Sequence, residues 1–135
     1  MVLPTRFAFA LALVLAVAAS TAAAQSWEYR SYKRNDAGQY EKDKFVSGTI
    51  SVEQKDGQWW FRHSAGRSGR CYEPLLPASV AKTEATTTIE VTQPVPGCDQ
   101  FRYVIRNDGS GGYKETKAGE RWVRSRFDHG LTPLK

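Results

Sequence analysis

Two cysteines, two histidines and one methionine are all that a chain of 135 residues offers in soft or imidazole ligands. His63 and His129 are far apart, and Cys71 and Cys98 stand singly, so no zinc spacing is matched and no metal or cofactor is expected. No Asn-x-Ser/Thr triplet occurs, which leaves no acceptor for N-glycosylation. Internal repeats and low-complexity linkers are also missing. The net charge of +5 is modest. It favours weak attraction to anionic surfaces but does not argue for a specific nucleic-acid partner.

The single long apolar run is N-terminal. Arg6 precedes an uninterrupted stretch from Phe7 to Ala19, and Ala22 and Ala24 occupy the two positions that a signal peptidase reads. Residues 1–24 therefore read as a cleavable signal peptide, with Gln25 as the new N-terminus. The stretch is short for a span of about 20 residues, and no basic stop-transfer cluster follows it. No cysteine near the cleavage site suggests a lipid anchor. The expectation is a single exported domain over residues 25–135, periplasmic or secreted, with no transmembrane segment once the signal is removed. In an oxidising compartment Cys71 and Cys98 pair as one structural disulfide.

Residues 25–135 alternate strand-like runs with turn signals, which predicts an all-β fold. Runs are expected at Trp27–Arg34, Tyr40–Gln54, Gln58–His63, Thr83–Gln93, Phe101–Arg106, Tyr113–Lys117 and Arg121–Phe127. Gly48 suggests a bulge or bend inside the second run. Asp56-Gly57 is the clearest hairpin signal, since a type I′ turn needs positive φ at both central positions. Residues 64–81, with Gly66, Gly69, Pro74 and Pro77, read as a loop with a short helical turn near Ser79, and the tail from Asp128 shows no pattern. The sum is a small antiparallel meander of about six or seven strands, curled into a barrel or folded into a sandwich.

Three constellations bear on function. The run from His63 to Arg70 places Gly66 and Gly69 beside Arg67 and Arg70, a pattern that can cradle an anion. It resembles the phosphate loop of the cysteine-dependent phosphatases, but Ser64 stands where that chemistry needs a thiolate. The turn Asn107–Gly112 contains Ser110, yet nothing in the sequence places Ser110 with His63 or His129 and Asp128 as a triad. In the run Arg121–Phe127, alternation sends Val123, Ser125 and Phe127 to the core and Trp122, Arg124 and Arg126 to the other face. Arg102 and Arg106 form a similar face on an earlier strand. If the strands adjoin, these residues make one basic, aromatic patch suited to an anionic partner. The plainer reading is a solvated face with Trp122 lying over Arg stems.

The reading that follows is a non-enzymatic, exported binding protein of the envelope or medium. Trp122, Arg124, Arg126, Arg102 and Arg106, with Arg67 and Arg70, would engage an acidic protein surface or an anionic envelope polymer. The alternatives are a structural or stress-related envelope domain without a small ligand, and a small hydrolase built on His63 or His129.

Overall fold

A computed structural model describes residues 24–64, 71 and 74–135. Residues 1–23 of the expected 1–24 signal peptide, and Arg67 and Arg70, lie outside the described residues. Among the described residues there is no helix, and nine antiparallel strands form one sheet. They are β1 (Ala24–Arg34), β2 (Tyr40–Lys55), β3 (Gln58–Ser64), β4 (Leu76–Lys82), β5 (Thr86–Val91), β6 (Phe101–Arg106), β7 (Gly112–Ala118), β8 (Arg121–Arg124) and β9 (Gly130–Pro133). From β1 to β8 every strand pairs with its successor in sequence, so the meander expected from the alternation is present. The turn between β2 and β3 has φ of 52° at Asp56 and 77° at Gly57, as a type I′ hairpin requires. Cys71 and Cys98 are bonded as a disulfide.

Three local expectations need correction. Leu76–Lys82 is a strand, not part of a loop with a helical turn. Pro77 disguised it, but the proline sits near the strand's start, where a missing ladder donor is tolerated, and Leu76 and Ala78 on either side are buried. Gly48 is no bulge, since it pairs in register with Tyr29. The irregularity lies instead where β1 shifts register between Tyr32 and Arg34, and Asp43 in the facing part of β2 takes a φ of 58°. Finally, the tail supplies β9, a four-residue strand too short to show a period, with Leu131 buried against the core.

The sheet closes on itself, which decides for a barrel. β8 pairs with β7, whereas β9 pairs with β1 through Trp27–Arg30. Between them, Gly112 and His129 exchange both backbone hydrogen bonds, at 3.1 and 2.8 Å. Residues 121–133 thus act as one closing strand, broken in the middle, that starts on one edge of the meander and finishes on the other. The inner face holds a single core that includes Trp27, Tyr29, Ile50, Phe61, Ile89 and Tyr103, all nearly inaccessible to water. Phe61 stacks on Tyr103 at 5.9 Å and meets Phe101 edge-on at 5.6 Å. Such aromatic pairs add about 0.5–1.5 kcal/mol each beyond the area they bury.

Candidate binding cleft

The break in the closing strand creates the site. After β8, Ser125 still donates its N–H to the Lys114 carbonyl at 2.7 Å, and its hydroxyl donates to the Phe127 carbonyl at 3.0 Å. The chain then bows out until His129 rejoins the ladder at Gly112. Asp128 anchors the bow. Its two carboxylate oxygens each accept a bond of 3.0 Å, one from Arg106 and one from Arg124. The Arg124 hydrogen bond holds the carboxyl below its ordinary value of 3.8; burial, next in size, opposes it, and the Arg106 hydrogen bond and the charges of both guanidinium groups add to the lowering. Because the folded-state value is depressed, this contribution is complete above the ordinary carboxylate range and is lost as pH falls through the folded-state value. About half of each side chain but Arg106's is exposed, so screening limits the effect to no more than about 1 kcal/mol. Asp128→Asn should therefore cost up to that amount at neutral pH and progressively less as pH falls below the ordinary carboxylate range, as read by thermal unfolding across that range; a cost that does not change with pH would show that the charge is not responsible.

Opposite the bow, β9 has covered β1 only as far as Arg30, so the edge of β1 beyond it faces the gap. A cleft of 640 Å³ opens there, at the end of the barrel. Ser31, Tyr32, Arg34 and Tyr40 form one wall, and Phe101, Lys114, Thr116 and Val123 form the other. The Cys71–Cys98 disulfide lies at its margin, and Arg124, Arg126, Phe127 and Asp128 of the bow complete it.

The residues singled out from sequence are dispersed. β7 lies between β6 and β8, so Arg102 and Arg106 do not adjoin the Trp122 strand directly. Outward Glu115 of β7 binds Arg102 at 3.2 Å, and the Arg102 guanidinium lies 4.1 Å from the centre of the Trp122 ring. Arg124 stacks 3.8 Å over Tyr113 while reaching Asp128. Trp122, Arg102, Arg106 and Arg124 thus form an interlocked outer face rather than a row of unengaged cations. Arg126, beyond the end of β8, instead packs 5.3 Å from the centre of Phe127. Val123 and Phe127, expected in the core, are 47% and 37% exposed. Val123 does take the inward position opposite Thr116, but the barrel is open at that level.

Sequence reasoning missed a cluster on the far side of the bow. The β1–β2 register sets Tyr32 against Phe45 and Arg34 against Tyr40. Tyr32 contacts Phe45 at 5.0 Å and Phe127 at 4.9 Å, and Tyr40 meets Phe127 edge-on at 4.8 Å. Arg30 lies 3.8 Å over Phe45, and Arg34 donates to the Tyr40 hydroxyl at 2.6 Å. The signal was present in part. Asn35–Gly38 announces a hairpin, and its Asn35 side chain accepts the N–H groups of Ala37 and Gln39, which brings the aromatic and arginine residues on either side together.

The two histidines are interior. His63 and His129 are 3% and 8% exposed and flank the Tyr29 ring at 4.6 and 5.4 Å, while the Tyr29 hydroxyl donates to Ser31 at 2.9 Å. The carboxylate nearest in sequence to His129, that of Asp128, is turned to Arg106 and Arg124. Ser110 donates its N–H to Asp108 at 2.9 Å within its glycine turn. Among the described residues no group of three or more His, Cys, Asp or Glu could hold a metal ion. No protein-family model, curated protein or solved structure matches this chain, so its function is argued from the cleft and its rim.

Proposed function

We propose that the chain is an exported, non-enzymatic binding protein that engages an acidic protein surface through the rim of this cleft. The observation that carries the reading is the cluster of Tyr32, Tyr40, Phe45 and Phe127 with Arg30, Arg34 and Arg126, drawn together by the bow and the β1–β2 hairpin. Aromatic residues and arginine dominate the energetics of protein interfaces, and rings already packed on one another lose little entropy on binding. Phe45 and Phe127 keep more than a third of their surface exposed. The guanidinium groups on these rings give the rim its sign and its preference for carboxylates. The disulfide is consistent with an oxidising, exported location. Trp122, Arg102, Arg106 and Arg124 form only the basic outer flank of the same region, and Arg126 joins it to the rim.

The test uses the protein with its disulfide intact, immobilised and exposed to envelope extract at about 0.15 M salt, where long-range attraction is screened. An acidic protein should be retained by the unmodified chain, and at least about tenfold less by Arg34→Ala/Arg126→Ala, which removes two rim contacts. Equal retention by that variant, or capture of anionic polymer alone, would overturn the assignment.

A further inference from the structure

The end of the barrel opposite the cleft holds a pair of side chains that the rim reading does not use. β1 begins there, with Gln25 in register with Val52, and β4 ends there, with Lys82 in register with Thr87. Val52 and Thr87 are buried in the barrel, and residues directly opposite each other on paired strands share a face. Gln25 and Lys82 therefore both point inward, from strands that are not neighbours in the sheet, and meet across the mouth. The Lys82 ammonium donates to Oε1 of Gln25 at 3.2 Å. The start of β1 is also fixed on both sides, since β2 pairs with it from Ala24 onward and the Ser26 carbonyl accepts the N–H of Leu134 at 2.9 Å.

Cleavage after Ala24 makes Gln25 the first residue of the exported chain and frees its α-amine. We infer that Gln25 is then a modification site, closing to pyroglutamate with Lys82 as the group that promotes the ring closure. The α-amine nitrogen attacks Cδ of its own side chain, and an N–Cδ bond forms. Negative charge develops on Oε1, the atom that Lys82 already contacts. The Cδ–Nε2 bond then breaks, its electron pair and a proton from the amine go to the departing nitrogen, and ammonia leaves. The step needs no oxidant, reductant or co-substrate. An N-terminal amine ordinarily titrates at about 7.7–8.0, so a fraction of it is unprotonated and nucleophilic near neutral pH. A cation held against the oxygen on which charge develops lowers the barrier to such an attack. The product suits the site, because the lactam keeps a carbonyl for Lys82 and removes the α-ammonium that would stand beside it. This inference rests on the export reading, through cleavage after Ala24, and on nothing at the rim.

The full precursor is expressed in a bacterial host that exports it and lacks glutaminyl cyclase. The processed protein is isolated promptly and incubated at neutral pH, and intact-mass spectrometry follows its N-terminus over time. A chain that starts at Gln25 should become lighter by the mass of one ammonia. It should also resist Edman degradation until treated with pyroglutamyl aminopeptidase. The rate should fall about fivefold or more in Lys82→Met, the scale of one exposed charge contact, and should be largely kept in Lys82→Arg. Thermal unfolding confirms that both variants keep the fold. A Gln25 terminus that stays intact, or a rate that Lys82→Met leaves unchanged, would overturn the proposal and leave export in place. A chain that starts at any other residue would overturn the cleavage reading together with it.

Discussion

Gly112→Ala should destabilise the protein by about 3 kcal/mol or more, at the upper end of what overpacking a well-filled site costs. A Cβ at this position would collide with the carbonyl oxygen of Val104 and approach the Cα of Ile105 at 3.0 Å. Both are backbone atoms of β6, so no flexible side chain can yield. Gly112 also exchanges the pair of backbone bonds with His129 that closes the barrel. Its neighbour Gly111 is constrained as well, with a φ of 98° and space for a Cβ only 2.5 Å from the His129 carbonyl oxygen. Strain at Gly112 is therefore relieved only by shifting β7 away from β6, to which Gly112 is paired opposite Ile105. The measurement is thermal unfolding followed by far-ultraviolet circular dichroism, with an expected fall in midpoint on the order of 10 °C. An unchanged midpoint would show that β6 and β7 can part at this point without loss of stability.

Removing the disulfide should have a comparable effect. Cys71 and Cys98 are separated by 27 positions, and the bond ties the β3–β4 connection to the β5–β6 connection at the cleft end of the barrel. In the chain-entropy account a loop of that length is worth roughly 3–4 kcal/mol, because the cross-link restricts the unfolded chain more than the folded one. The double variant Cys71→Ser/Cys98→Ser avoids leaving a lone thiol and should lower the urea midpoint by a corresponding amount without changing the strand content. A midpoint within error of the unmodified protein would mean that the unfolded chain already holds these segments close together.

The sequence reveals what is local in this fold. Phe101–Arg106 was legible to the residue, because alternation with buried Phe101, Tyr103 and Ile105 repeats without interruption. Asp56-Gly57 was legible because its conformation demands those residue types. Pairings between distant segments were not. Arg106 and Asp128 are 22 positions apart, and nothing in either neighbourhood signals that they meet. Strand alternation alone gathers Trp122 and the nearby arginines into one patch. It took no account of Glu115 and Tyr113, which the intervening strand sets between them. The rim cluster depends on a register shift in β1 and on a bow after β8, two irregularities that interrupt the period on which sequence reading relies.

The closing strand has a thermodynamic consequence. Every ladder from β1 to β8 joins neighbours in sequence, and one seam, formed by β9 on β1 and by His129 on Gly112, shuts the sheet. Its β9–β1 part has the greatest sequence separation of any ladder in the sheet and so bears the largest loop-closure entropy. The cleft lies beside that seam, and His129 belongs to both regions. A partner bound at the rim as proposed, and only while the seam is shut, would add its binding free energy to the least local contacts of the molecule. Binding and closure would then be linked, and loosening the seam would weaken the partner's hold.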